Sequence, residues 1–123
     1  DQVFSRIHID DLATILKASM DNPNPGPGTK AVYKGALYKG VIYNVADDLP
    51  APPQDVIAFA AELLGLAPPP EIPFEAADLS PMARSFYADS KRISNRLIKS
   101  RLGISLQYPT YREGLKAILN AED

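Results

Sequence analysis

Apolar and polar positions alternate first with a period of two and then with a period near 3.6. Across Val3–Ile9, Phe4, Arg6 and His8 alternate with Val3, Ser5, Ile7 and Ile9, which predicts a short strand. Leu12, Ile15, Leu16, Ser19 and Met20 follow at helical spacing, so a helix with one buried face is expected, capped by Asp10 or Asp11. The run from Asn22 to Gly28, with three prolines and two glycines, ends it in a loop. Val41–Val45 is the best candidate for a buried strand, one that wants neighbours on both edges. A turn over Asp47–Pro53 leads into a helix with Pro53 in its first turn, an inner stripe of Val56, Ile57, Ala60, Leu63 and Leu64, and Gly65 just past its end. Pro68–Pro70 imposes an extended passage to Ile72 and Phe74. Ser80 and Pro81 open a short helix with Met82, Ala83, Phe86 and Tyr87 inward. Ser94 caps another that buries Leu97, Ile98 and Leu102 and stops at Gly103. Thr110 and Glu113 form a capping box for a last helix burying Tyr111, Leu115, Ile118 and Leu119.

Between the loop and the central strand lies an internal repeat. Ala31-Val-Tyr-Lys-Gly35 is nearly copied at Ala36-Leu-Tyr-Lys-Gly40, and Val41-Ile-Tyr-Asn-Val45 shares the start of the pattern. A five-residue period flips side-chain parity between copies. Both a duplicated strand edge and a small hairpin fit, and three copies are too few for a solenoid. The expected organisation is one domain over 1–123, with residues 22–40 as a proline–glycine loop and Tyr-Lys-Gly insertion.

Composition narrows the classes. At 123 residues, 46% hydrophobic and 23% charged, the chain can bury a core without staples. Cysteine is absent, which excludes disulfides and thiolate metal sites and suits a reducing cytoplasm. No apolar run reaches the roughly 18 residues of a membrane span, and no signal peptide is visible. The chain runs from Asp1 straight into a strand-like segment, as an excised piece would. The net charge of −2 conceals a basic segment. From Arg84 to Arg112, Arg84, Lys91, Arg92, Arg96, Lys99, Arg101 and Arg112 face only Asp89, which leaves the remainder acidic. A basic stretch attracts phosphates, nucleotides or nucleic acid, although scattered Lys and Arg on a solvated helix face look the same in sequence.

Several landmarks occur in a definite order: Phe4-Ser-Arg-Ile-His-Ile-Asp-Asp-Leu-Ala13, Val41-Ile-Tyr-Asn-Val-Ala-Asp-Asp48, Asp89-Ser-Lys-Arg-Ile-Ser-Asn95, Leu102-Gly103 and Tyr111-Arg-Glu-Gly-Leu115. In that order they resemble the C-terminal, substrate-side part of the extended short-chain dehydrogenases/reductases, the NAD-dependent epimerase/dehydratase family, over nearly the whole chain except residues 29–40. The resemblance implies an α/β fold: the C-terminal portion of an NAD(P)-binding Rossmann-type enzyme, with about five helices and two or three short strands, lacking the N-terminal βαβ half. It also implies that NAD or NADP and the catalytic groups belong to that missing half. This part would close over a nucleotide sugar or similar polar substrate and be inactive alone. Arg84, Tyr87 and Arg92 are then the candidate substrate-binding residues. Arg84 stands where family members grip a diphosphate, a task suited to the guanidinium fork. The family has an acidic residue three positions later. Tyr87 stands there instead, which weakens the case for a ribose contact and suits stacking on a ring.

Three local patterns imitate active sites. Gly26-Pro-Gly-Thr-Lys-Ala31 fits Gly-x-Gly-x-x-Ala but lacks the strand before and the helix after that a dinucleotide needs. Tyr87-Ala-Asp-Ser-Lys91 fits Tyr-x-x-x-Lys but spans an expected helix break. His8 with Asp10 and Asp11 supplies too few ligands on one face for a metal. The alternatives to an enzyme portion are a non-enzymatic anion- or nucleic-acid-binding module, with Phe86, Tyr87, Tyr108 and Tyr111 among the basic residues, and a self-associating domain that pairs the Val41–Val45 edge with a second copy. The acidic net charge argues against nucleic acid.

Overall fold

The computed structural model describes residues 2–22, 30–33, 36–87 and 89–121. Five helices make up most of the regular secondary structure among the described residues: α1 (Ile9–Asp21), α2 (Pro53–Leu63), α3 (Pro81–Phe86), α4 (Arg96–Leu102) and α5 (Tyr111–Ala121). Two short strands, β1 (Lys30–Tyr33) and β2 (Ala36–Lys39), form an antiparallel hairpin in which Val32 faces Leu37 and Tyr33 faces Ala36. The first two copies of the pentad repeat are therefore the two arms of that hairpin. Residues 23–29, which hold the proline–glycine loop and much of the Gly-x-Gly-x-x-Ala pattern, lie outside the described residues.

The α/β expectation is overturned. Among the described residues the chain is mainly helical, its sheet is the two-stranded antiparallel hairpin, and Val41–Val45 is not a strand. The physical reason is supply of partners: a strand exists only where a second one meets its backbone groups, and none does so along 41–45. The Val3–Ile9 run is reduced to bridges at Phe4. There the Phe4 N–H donates to the Ala51 carbonyl at 3.1 Å and the Ala51 N–H returns the bond at 3.1 Å. On the other edge the Ser5 N–H donates to Lys91 O at 3.0 Å and the Lys91 N–H to Val3 O at 2.8 Å.

Local signals define the helix ends. Ser80 Oγ accepts from the Ala83 N–H at 3.2 Å at the start of α3. The Thr110 hydroxyl and the Thr110 N–H, the latter at 3.0 Å, both donate to Glu113 Oε2, while Thr110 Oγ1 accepts from Arg112 N–H at 3.2 Å. The hydroxyl bond, and after it the backbone N–H bonds of Glu113 and Thr110, hold the Glu113 carboxyl below its usual range. Gly65 and Gly103 follow α2 and α4 with φ of 67° and 66°, a left-handed geometry that glycine adopts without strain. Two caps differ from expectation. His8, not Asp10 or Asp11, caps α1, because Asp11 is buried and holds the distant loop at Gln107 and Tyr108. Asn95, not Ser94, occupies the cap position of α4.

α1 packs on α4, and α2 on α5. Ile15, Ile98 and Ile104 form one buried cluster, with Tyr43, Val45 and Leu106 against it. Ala51, Phe59 and Tyr111 form another, with Val56, Leu63 and Leu115 against it; the Phe59 and Tyr111 rings meet edge to face at 5.8 Å. Asn95 and Asp48 join these parts. The Asn95 amide donates to Ala46 O at 3.0 Å and to Asp48 Oδ1 at 2.7 Å. Lys99 Nζ contacts both Asp48 carboxylate oxygens, at 2.5 and 2.7 Å. Burial works to raise the Asp48 pKa, but these bonds and the Lys99 charge bring it below its ordinary value.

The apolar stripes are wider than the core that covers them. Leu16 and Met20 on α1, Ile57 and Leu64 at α2, Met82 on α3 and Ile118 on α5 were all expected inside and are exposed. Phe86, also expected inside, has a side chain outside the described set.

Candidate functional site

The aromatic cleft beside α3 is assembled from four separate stretches. The proline-rich segment brings Ile72 and Phe74, Tyr87 follows the end of α3, Pro53 and Gln54 come from the first turn of α2, and the start of the chain brings Gln2. They surround a cleft of about 300 Å³ that Ala77 and Leu79 also line. Tyr87 sits just past the last turn of α3, where its N–H donates to Ala83 O at 3.2 Å. Its ring meets Phe4 edge-on at 5.9 Å and Phe74 at 6.4 Å. Gln2 Nε2 donates to the carbonyls of Tyr87 and Asp89, which ties the end of α3 to the start of the chain.

Arg84 does not line this cleft but stacks on the Phe74 ring, which does. Its guanidinium carbon lies 5.0 Å from the centre of the Phe74 ring, and one terminal nitrogen donates to Ala77 O at 3.2 Å. Stacking plus one anchoring bond orients the planar group and leaves donors from its set of five N–H groups for an anion. The structure thus gathers Arg84 and Tyr87 around Phe74. It does not bring Arg92 to them: Arg92 is exposed, one position past the Lys91 bridge, and does not line the cleft. Phe74 is the contact that sequence reading missed, and its signal was only an aromatic after a proline run.

A second cavity, of about 220 Å³, lies between α5 and the segment leading into α1, with Arg6, His8, Asp47, Val56, Leu115 and Ile118 on its walls. His8 is held by Asp10 N–H, which donates to its Nδ1 at 3.3 Å, and by Tyr108, whose ring centre is 4.0 Å away. Nδ1 is thereby an acceptor, so the neutral ring carries its proton on Nε2. That atom is buried and has no hydrogen-bond partner among the described residues. Asp47 is 3% exposed, and its pKa is raised to about 6. Burial is the main cause; a hydrogen bond from the Leu49 N–H and the charge of Arg6 oppose it. Arg6 spends one terminal nitrogen on two carbonyls, Phe4 O at 3.1 Å and Ala51 O at 2.9 Å. Sequence reading treated Asp47 as a turn residue, because nothing local announces its burial.

Two of the decoy patterns fall among the described residues. Tyr87 lies beyond the last helical residue and Lys91 in a bridge, so the two do not share a helix. The carboxylate oxygens of Asp11 accept from the N–H groups of Gln107 at 2.8 Å and Tyr108 at 2.9 Å. Among the described residues no group of three metal-ligating side chains converges, and no helix is long and apolar enough to cross a membrane.

No family model and no curated protein matches the chain. Among solved structures it is similar to a functionally unknown conserved protein from Silicibacter pomeroyi DSS, with 51% sequence identity and a TM-score of 0.82. The similarity covers 98% of this chain but 38% of that protein, so the chain spans well under half of the neighbour's length.

Proposed function

We propose that this chain is the substrate-side portion of a larger NAD(P)-dependent oxidoreductase resembling the extended short-chain dehydrogenases/reductases, that it holds a nucleotide sugar or similar polar anion, and that it is inactive alone. The observation that carries this reading is Arg84 stacked on Phe74, whose ring lines one cleft with Tyr87. A guanidinium held on one ring beside a second, partly exposed one suits a ligand that joins a phosphate to a flat base. The 38% coverage of a longer neighbour is consistent with further chain beyond this portion. The chain's residues would supply binding energy and exclude water, while hydride transfer to or from NAD or NADP would rest with the remainder. A cytoplasmic setting fits the absence of cysteine.

The nucleic-acid alternative is less well supported. Lys99 is committed to Asp48, and Arg112 lies over the rings of Phe59 and Tyr111 at 4.8 and 5.3 Å, which divides the basic segment among separate contacts. The reading is tested by titrating UDP-glucose into the chain by calorimetry, with Arg84→Ala alongside. Losing a charged hydrogen bond should weaken binding by about tenfold or more. Absence of binding, or equal binding by the variant, overturns it, as would turnover of NADH by the chain alone.

A further inference from the structure

The cavity at Arg6 and His8 adjoins a second apolar space. Leu115 and Ile118 line it and also line a groove of about 190 Å³ that Ala60, Leu63, Leu64 and Leu119 complete. Together the two spaces form a trough along the α2–α5 pair. Tyr111, Leu115, Ile118 and Leu119 recur on one face of α5 and make its floor. Hydrocarbon lines most of the trough, and two of its residues, Ile118 and Leu64, are 50% and 58% exposed. Polar side chains collect at one end. There Arg6, His8 and Asp47 line the cavity. Arg6 spends one terminal nitrogen on Phe4 O and Ala51 O, while its Nε and other terminal nitrogen have no partner among the described residues. The His8 side chain is 9% exposed, and its buried Nε2 also lacks a partner among the described residues, a cost that folded chains seldom leave unmet. The ring edge formed by Nε2 and Cδ2 is turned towards Gly114, another wall of the cavity, where a Cβ would come to 3.2 Å from Cδ2. Glycine at 114 therefore keeps that end of the trough open.

We infer that this trough binds a medium-chain fatty carboxylate, with its head group at Arg6 and His8 and its tail along Leu115, Ile118 and Leu64. Complementarity at the two ends argues for that occupant. Unmet N–H donors call for an acceptor, and the guanidinium calls for a negative one. Beyond them the walls offer only hydrocarbon, which a tail would cover. A small inorganic anion would leave the groove open, and the apolar face of a second copy would bring no acceptor to Arg6. Asp47 accommodates an anion beside it. Burial raises its pKa to about 6, so at and below that pH it can hold a proton and donate it to the head group. The site is separate from the Phe74–Tyr87 cleft, and the inference does not rest on the oxidoreductase reading.

Calorimetric titration of the chain near pH 6 with hexanoate, octanoate and decanoate, each kept below its micelle concentration, tests it. One saturable site per chain is expected. Each added methylene should tighten binding by about twofold to fourfold, the upper value being that of complete burial. Octan-1-ol has the same tail without the charge and should bind about tenfold more weakly than octanoate; octylamine should bind no better than octan-1-ol. Ile118→Asn places an amide in the path of the tail at a half-exposed position and should abolish the gain with chain length. Leu64→Asn repeats the test from the opposite wall if the first variant does not fold. Affinity that is flat across the series, uptake that never saturates, or tighter binding of octylamine than of octanoate overturns the inference. So does an undiminished gain with chain length in the folded variants. Octanoate binding that is lost as the chain self-associates at higher concentration, followed by light scattering, would make a second copy the occupant and overturn it as well.

Discussion

Two extended segments of this chain invite comparison, Phe4–Ser5 and Val41–Val45. By composition the second is the better strand, with three β-branched residues and a tyrosine in five positions. Yet Phe4–Ser5 is held on both edges, by Ala51 and by Lys91, whereas among the described residues Val41–Val45 is held on neither. β-structure is made by the arrival of partners, and propensity records only how well a residue would fit once they arrive. Asp47 joins the two segments: it lies just past the run, after Ala46, whose carbonyl accepts from Asn95, and its N–H donates to Arg6 O next to the paired one.

The sharpest way to break the comparison is to place proline in each segment. Ser5→Pro removes the Ser5 N–H bond to Lys91 O and also the Ser5 Oγ acceptor that takes the Ile93 N–H at 2.9 Å. It should cost about 3 kcal/mol in urea unfolding. Asn44→Pro removes no hydrogen bond seen among the described residues and should leave the isolated chain within about 0.5 kcal/mol of the parent. Equal costs would mean that 41–45 is already paired.

A smaller effect is expected at the joint. The Asp47 carboxyl, raised by burial to about 6, binds a proton more tightly folded than unfolded. Its stabilising contribution is therefore fully present below the unfolded value of 3.8 and lost as pH rises through about 6. Between pH 5 and pH 7.5 that loss amounts to about 1.4 kcal/mol by linkage. Asp47→Asn removes it, so the stability of the parent relative to the variant should fall over that interval and then level off. Asp48 and Glu113, whose pKa values are lowered, contribute with the opposite sign in both proteins and cancel in the difference. A pH-independent difference would show that Asp47 is already ionised in the fold.

Much of the helical framework was legible because its signals are local. Ser80, Thr110 with Glu113, Gly65 and Gly103 each act within a few residues of themselves, so periodicity and caps place α2, α3 and α5 well. What was not legible depends on distant chain. Asp11 reads as a cap but reaches Gln107 and Tyr108; Asn95 carries no signal beyond following an expected Ser94 cap, but it binds the carbonyls of Ala46 and Asp47. Leu16, Met20 and Ile118 read as core, because an apolar stripe looks the same whether this chain or another covers it. At the candidate site, resemblance pointed to Arg84 and Tyr87. Phe74 comes from a segment with no periodicity, and Asp47 from a turn that only tertiary packing buries.

The finest test concerns how rigidly the paired region holds His8, the residue between the Phe4–Ser5 bridges and α1. Gly114 lies on α5 against the His8 ring, and a Cβ there would meet Cδ2 at 3.2 Å. Alanine in place of a mid-helix glycine gains up to about 1 kcal/mol from helix propensity. The ring must yield a few tenths of an ångström, and Tyr108 at 4.0 Å and the Asp10 N–H restrain it. Gly114→Ala should therefore bring no net gain, within about 0.5 kcal/mol of zero, and should move the His8 ring resonances in the NMR spectrum. A gain near the full propensity value would mean that His8 shifts freely, and that the paired segment is softer than its hydrogen bonds suggest.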